Sequence, residues 1–335
     1  MIVLGIETSC DDTSLAFFSP GRGVLGEMTA NQLVHEQYGG VVPEVASRTH
    51  MKNLLPVFEA LVAKTGLSTR DIDGIGVSNG PGLVGSLLVG VSFAKALAFA
   101  LDRPIAGVHH VEAHILSNEL GGEEFRTPAV ALVVSGGHSA LYKMDAVGRY
   151  ELAGNTRDDA AGEAFDKIAK LLGLGFPGGP AIEKTAKTGN PSGIGFPRAM
   201  MVKDNFDFSF SGLKTAVRLH VESLREPTPQ MIADVAASAQ EAIVDALVQK
   251  TILCAWSYHV GHVYLAGGVA ANGRLREKLA AACERAGVAY HAPLLQYCTD
   301  NGAMIACAAS KHLAHGRDDR PDLDVFTRGP VVSWM

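Results

Sequence analysis

Ile2-Val3-Leu4-Gly5-Ile6 is an apolar run, followed by the polar stretch Glu7-Thr8-Ser9-Cys10-Asp11-Asp12-Thr13 and a second apolar run from Ser14 to Ser19. The same order returns at Val130-Ala131-Leu132-Val133-Val134, with the turn Ser135-Gly136-Gly137-His138 and the run Ser139 to Met144. Short β-branched runs bounded by turn residues predict buried strands that fold back on themselves. Each half then offers a strand, a Gly-rich loop and a helix. In the first half these are Ile75 to Ser78, Asn79-Gly80-Pro81-Gly82, and Leu83 to about Ala100. In the second they are Val263 to Leu265, Ala266-Gly267-Gly268, and Asn272 to about Ala286. Each half closes with a further strand and helix: Ile105 to Val108 leads into His109 to Ser117, and Val288 to His291 leads into Asp300 to His315. A pattern of this kind occurring twice predicts α/β architecture with two related lobes. Gly-rich turns at strand ends, facing one another across the lobes, would make a phosphate cleft. Between the repeats, residues 157–229 are rich in Gly, Pro and Lys and read as a helical cap.

The composition narrows the function classes. A chain of 335 residues suggests two domains. Residues that are 47% hydrophobic and 19% charged, with 37 glycines, support a sizeable core and argue against disorder. A net charge of −6 gives no global attraction for nucleic acid, so an RNA contact would need a local basic patch or a partner. The most apolar stretch, Leu83 to Leu101, carries Lys95 and several small residues, so no membrane span is expected. The chain opens directly into a strand with no basic leader, and its five cysteines are never spaced C-x-x-C. Both point to a cytoplasmic protein with reduced thiols.

His110 and His114 stand four apart on a predicted helix, so their rings share a face at metal-ligand spacing. A surface histidine beside a helix-end cap is the plainer alternative. Glu112 at i+2 points away from that face, unlike the zinc-protease pattern. Two histidines are too few for a site, and the duplication suggests Asp300, near the corresponding position across the cleft, as a third ligand. Asp300 alone would read as an N-cap. Together, two imidazoles and a carboxylate suit iron or zinc.

The two Gly-Gly turns suggest close backbone approach to a phosphate or nucleoside. Asn272 could cap its helix or meet a ribose; Asp166 could bind a ligand or pair with Lys170. Gly178-Gly179-Pro180 reads plainly as a helix-starting turn. Adjacent Asp11 and Asp12 should line the cleft, and Cys10 should only pack. The segment from Asp166 to Arg218 has eight basic residues (Lys167, Lys170, Lys184, Lys187, Arg198, Lys203, Lys214 and Arg218) against four acidic ones. It is either a solvated face or a polyanion contact. Ser86, Gly90, Ala94 and Ala98 form a small-residue stripe that fits internal packing and a partner surface equally.

Seven motifs in order resemble the bacterial TsaD family, the tRNA N6-adenosine threonylcarbamoyltransferases once labelled O-sialoglycoprotein endopeptidases. They are Ile6-Glu7-Thr8-Ser9-Cys10-Asp11-Asp12-Thr13, Tyr38-Gly39-Gly40-Val41-Val42-Pro43-Glu44, His109-His110-Val111-Glu112-Ala113-His114, Val134-Ser135-Gly136-Gly137-His138, Gly162-Glu163-Ala164-Phe165-Asp166-Lys167, Phe208-Ser209-Phe210-Ser211-Gly212-Leu213-Lys214-Thr215 and Cys298-Thr299-Asp300-Asn301-Gly302-Ala303-Met304. The resemblance covers nearly the whole chain; Asp12 and Ser139 depart from the usual Glu and Thr. It implies a duplicated actin-like, sugar-kinase-like ATPase fold, with an N-terminal lobe over 1–128, a C-terminal lobe over 129–328 and a tail over 329–335. It implies transfer of threonylcarbamoyl from its adenylate to N6 of the adenosine 3′ of the anticodon, in tRNAs reading codons that begin with A. His110, His114 and Asp300 are then the iron ligands, Fe2+ or zinc. Val133, Val134, Ser135, Gly136, Gly137, Asp166, Gly179 and Asn272 are the adenylate-binding positions. Implied partners are tRNA, a shorter TsaB-like paralogue and a small TsaE-like ATPase, with no membrane. Asp11 is the residue to steer or accept the amine proton.

Two other enzymes and a noncatalytic scaffold compete with this reading. A small-molecule kinase on the same fold would transfer phosphate without tRNA, and the His-His-Asp set argues against it. A metalloprotease would use the histidines on zinc, but its glutamate would be misplaced. The intact polar cleft argues against a scaffold.

Overall fold

The structure, a computed structural model, describes residues 1–32, 34–35, 40–200, 205–320 and 322–335. Tyr38 and Gly39 of the second motif, and Lys203 and Asp204 of the basic segment, lie outside the described residues. The first half contains β1 (Val3–Glu7), β2 (Asp12–Ser19), β3 (Gly23–Asn31), α1 (Pro43–Thr65), β4 (Gly74–Gly80), α2 (Val84–Leu101), β5 (Ile105–His109) and α3 (His110–Leu116). The second contains β6 (Ala129–Val134), β7 (Ser139–Ala146), β8 (Arg149–Asn155), α4 (Ala161–Leu171), α5 (Gly178–Ala186), α6 (Ser211–Ser223), α7 (Pro229–Ser257), β9 (His262–Ala266), α8 (Gly273–Ala286), β10 (Ala289–His291) and α9 (Gly302–Ala314).

The two sheets run β3-β2-β1-β4-β5 and β8-β7-β6-β9-β10. Strand for strand, β6 takes the place of β1, and the antiparallel hairpin partner and parallel neighbour repeat with it. The duplication expected from the sequence is therefore present. Every residue of β1 and β6, at the centres of their sheets, is buried, and so is every residue of the edge strand β5, against which α9 packs.

By contacts the chain forms two units, Met1–Phe125 with Gln296–Val331, and Arg126–Leu295 with Val332–Met335. The first boundary falls close to the expected 128. The C-terminal part differs from the expected lobe over 129–328 and tail over 329–335, because α9 packs on β1, β2 and β4 of the first sheet. Glycine makes that close packing possible. A Cβ on Gly76 would stand 2.2 Å from the Ala309 Cβ. The last residues join the second unit instead, where Trp334 N donates to Gly148 O at 2.9 Å and Tyr150 N donates to Ser333 Oγ at 2.9 Å.

In the first unit, Leu4, Ile6, Leu15, Phe17, Leu61 and Ile75 form one buried cluster with residues of α1 and α2. Each such side chain contributes about 1.5–3 kcal/mol of burial. α1 starts on Pro43, whose missing N–H costs nothing there, and stops at Gly66 in the left-handed region. On α2, Ser86, Gly90, Ala94 and Ala98 are buried, and a Cβ on Gly90 would stand 2.3 Å from Thr8 Oγ1. The small stripe is internal packing. The opposite face leaves Val84, Leu88 and Phe99 exposed. α2 is long and apolar enough to cross a membrane by length and composition, yet one side of it is built into this core.

The insertion is helical, as expected. α4, α5 and α6 each pack against α7. Asp158 accepts from Ser209 Oγ, Phe210 N and Ser211 Oγ at 2.5, 2.8 and 2.8 Å, and Asp159 pairs with Lys167 at 2.7 Å and Lys214 at 3.0 Å. The Phe208–Thr215 motif is thus clasped to the start of α4. Arg198 is likewise paired with Asp245 at 2.8 Å. Much of the segment's basic charge is spent inside the fold, leaving Lys170, Lys184, Lys187 and Arg218 exposed.

Candidate functional site

α3 is buried along its whole length, so every polar group on it needs a partner inside the protein. His109 is its N-cap: Nδ1 accepts from Val111 N at 3.2 Å and Nε2 donates to Gly329 O at 3.2 Å. Burial pushes this imidazole down to about 4, which keeps it neutral and suits both bonds.

His110 turns the other way. Its Nδ1 lies 3.0 Å from Glu7 Oε2 and 3.1 Å from Ser9 Oγ. Glu7 is fully buried at the end of β1 and is held by Ser9 N at 2.5 Å and Ser78 Oγ at 3.2 Å. A buried carboxylate on Nδ1 fixes the ring's tautomer and leaves Nε2 for a ligand. That Nε2 is 3.5 Å from Asp300 Oδ1, and His114 Nε2 is 3.1 Å from the same oxygen. Burial opposes a charge on His110, but the Asp300 and Glu7 carboxylates outweigh it and hold its pKa up at about 9. Among the described residues, the buried Nδ1 of His114 has no hydrogen-bond partner, so Nε2 carries all of that ring's polar contact.

One ligand atom from each of His110, His114 and Asp300 lies within 4.8 Å of the others. Bonds of about 2.0–2.2 Å to a common ion place neighbouring donor atoms about 3–3.5 Å apart, the separation seen between Asp300 Oδ1 and each imidazole Nε2. Two imidazoles, one carboxylate and open positions suit a divalent transition ion. Glu112 faces away, with Oε2 3.0 Å from His312 Nε2, and is unavailable as a general base here. The structure brings the three expected ligands together, all within the first unit rather than across a cleft as the repeat suggested.

Asp11 sits half-buried in the turn after β1, beside Cys10, whose thiol is pushed up chiefly by burial and then by Asp11 and Asp300. At Asp12, burial first, then Asp300 and Asp11, raise the carboxyl to about 7, while Asn31 Nδ2 donates to it at 2.8 Å.

In the second unit, Val133 and Val134 end β6, and Ser135 opens a tight turn in which Ser135 N donates to His138 O at 2.8 Å. The glycines here fall into two groups. Gly162, Gly178 and Gly267 are required by crowding: a Cβ would stand 2.6 Å from Ser135 O, 2.5 Å from the Asp166 Cα and 2.4 Å from Val134 O, respectively. At Gly136, Gly137 and Gly179 a Cβ would meet nothing within 4 Å. Packing does not ask for glycine at those three, and their bare backbone is open to a ligand. Asp166 accepts from Gly178 N at 2.7 Å rather than pairing with Lys170, and burial raises its carboxyl. Asn272 is the N-cap of α8, accepting from Leu275 N at 2.9 Å while Nδ2 donates to Gln240 Oε1 at 2.9 Å.

Glu7, Ser9 and Ser78 were not anticipated from sequence. A glutamate closing an otherwise apolar strand was the available signal.

The family model for TsaD, tRNA N6-adenosine threonylcarbamoyltransferase, matches residues 23–307. A protein of that name from Ralstonia pickettii (strain 12J) is 50% identical over 339 residues, covering 100% of this chain and 97% of its own. Another from Moorella thermoacetica is 50% identical over 309 residues, covering 92% and 90%. Among solved structures, HypF of T. kodakarensis has a TM-score of 0.63 at 16% identity over 94% of this chain and 48% of its own. An activator of 2-hydroxyisocaproyl-CoA dehydratase from Clostridium difficile has a TM-score of 0.54 at 14% identity, covering 94% and 97%. These distant likenesses concern the fold, which is the duplicated actin-like one. With half of its residues shared along full-length relatives, the chain belongs to the TsaD family of tRNA N6-adenosine threonylcarbamoyltransferases.

Proposed function

We propose that this protein transfers the threonylcarbamoyl group from threonylcarbamoyl-adenylate to N6 of the adenosine 3′ of the anticodon, in tRNAs reading codons that begin with A. The observation that carries the chemistry is the buried His110–His114–Asp300 set, with His110 oriented by Glu7.

The exocyclic amine of adenine is a weak nucleophile, so the acyl group must arrive on a good leaving group. The amine nitrogen attacks the carbamoyl carbonyl carbon, the C–O bond to phosphate breaks, AMP departs and the amine loses a proton. A divalent ion on His110, His114 and Asp300, iron in this reading with zinc as the alternative, would supply Lewis-acid polarisation of a donor oxygen. Glu7 keeps His110 Nε2 directed toward Asp300. The open turn Ser135-Gly136-Gly137, with Val133, Val134, Asp166, Gly179 and Asn272, is assigned to the adenylate; Gly179 lies in the first turn of α5, so its backbone adds a helix N-terminus. Asp11 is assigned the amine proton, 10²–10⁴-fold being about what such a base contributes.

The partners in this reading are tRNA, a shorter paralogue of the same family and a small ATPase, and the compartment is the cytoplasm. The face of α2 on which Val84, Leu88 and Phe99 are exposed, with Lys95 beside them, supports a protein partner. Incubation of the protein with preformed threonylcarbamoyl-adenylate and unmodified tRNA, with and without the two partners, tests the activity. Modified adenosine in the digested tRNA supports it. Phosphate release from ATP with no tRNA product, under every combination, would favour the kinase reading.

A further inference from the structure

Glu112 and His312 are each 1% exposed, and neither belongs to the metal set. They belong to a ring of contacts that ties α3 to the C-terminal end of α9. Arg317 Nη1 is 2.9 Å from His312 Nδ1, and a guanidinium only donates, so Nδ1 is the acceptor. The proton of the neutral imidazole is therefore on Nε2, from which it is donated to Glu112 Oε2 at 3.0 Å. Arg317 Nε donates to Asp319 Oδ1 at 2.9 Å, and Asp319 Oδ2 accepts from Gly107 N at 2.8 Å. Gly107 lies in β5, the strand that runs directly into α3. The path thus goes from β5 through α3 to α9 and back to β5. The neutral imidazole bridges the buried Glu112 carboxylate to the half-exposed Arg317 guanidinium.

We propose that Glu112, His312 and Arg317 are positioning residues for the metal set. α3 carries His110 and His114 on one face and Glu112 on the other, and Asp300 immediately precedes α9, which carries His312. The ring holds the two helices in one register, and that register sets the 3.1 Å and 3.5 Å separations between Asp300 and the two histidines. The inference rests on the metal-centre reading above.

The test uses the full chain and Co2+ as the probe, read by equilibrium affinity and by visible ligand-field absorption. Wild-type protein should bind one Co2+ with an absorption band that His114→Ala abolishes. Absence of both in the wild type would overturn the metal-centre reading itself, and with it this inference. Given wild-type binding, His312→Leu should weaken Co2+ at least tenfold and change the band shape. His312→Gln should restore affinity to within threefold, because its amide offers an N–H to Glu112 and a carbonyl to Arg317 in the same polarity. Wild-type affinity and spectrum in His312→Leu, or equal losses in the Leu and Gln variants, would overturn the positioning role. Should His312→Leu not fold, Arg317→Leu at the half-exposed end of the ring decides: a loss of threefold or more supports the role, and wild-type affinity in that folded variant overturns it.

Discussion

Gly5 lies directly beneath Gly302: a Cβ on Gly5 would stand 2.2 Å from the Gly302 carbonyl oxygen and 2.4 Å from Ala306 N. Both obstacles are backbone, so neither can swing aside. This contact seats the N-terminus of α9 on the first sheet, and Gly302 N donating to Ser14 Oγ at 2.9 Å locks it there. Asp300 reaches the α3 histidines because of it. Gly5→Ala should therefore cost about 3 kcal/mol, the upper range for overpacking, and should lower metal affinity as Asp300 is displaced. Urea denaturation beside a metal titration would show this. An unchanged midpoint would contradict the close approach.

Asp11→Asn should slow single-turnover transfer at least about 100-fold while adenylate binding holds. Asp12→Asn is the matched comparison, since the adjacent Asp12 carboxyl is raised to about 7. A full rate in Asp11→Asn with the loss appearing in Asp12→Asn would move the proton-accepting role to the neighbour.

The two faces of α2 should respond differently. Gly90→Leu strikes Thr8 inside the core and should lower thermal stability. Leu88→Glu, on the exposed face, should leave the thermal midpoint within about 2 °C of wild type, as surface changes do, while abolishing association with the paralogue in gel filtration. Retained association in folded Leu88→Glu would remove this face from the interface.

The ion-pair cluster that ties α8 to α7 should give a defined acid sensitivity. Arg274 first, opposed by partial burial and joined by Lys278, depresses the Glu241 carboxyl from its ordinary 4.5 to about 2. A depressed carboxylate stabilises the fold fully above about 4.5 and progressively less as pH falls toward 2. Glu241→Gln should thus lower stability by about 1–2 kcal/mol at pH 7, with solvent screening limiting the effect. The difference from wild type should vanish near pH 2. A difference independent of pH between 7 and 2.5 would show that packing, not charge, accounts for the loss.

Sequence alone revealed the duplicated core because buried strands such as Ile2 to Ile6 and Val130 to Val134 are apolar on both faces, and turn residues mark their ends. β3 was not foreseen, since nearly all of it is half-exposed and it lacks alternation. The start of α7 was visible only as Thr228-Pro229, a cap signal placed inside a segment read as cap. Asp300 was read as a candidate ligand from its pairing with the i, i+4 histidines. Its unit was misplaced, because repeat logic follows chain order whereas α9 follows the space opened by Gly5 and Gly76. Glu7 escaped notice for a related reason: its role depends on a contact with His110 that spans 103 residues and has no local spacing.

The most direct measurement is metal content and threonylcarbamoyl transfer read on the same samples, for chelated and Fe2+-reloaded wild type, His114→Ala and Asp300→Ala. His114→Ala should fold well, since the helix tolerates alanine; Asp300 is not the helix cap, a role taken by Asn301, so Asp300→Ala should fold as well. We expect one ion per wild-type chain, transfer lost on chelation and recovered on reloading, and neither metal nor transfer in either variant. Full transfer by chelated wild type, or by folded variants holding no ion, would contradict a metal-dependent reaction at His110, His114 and Asp300.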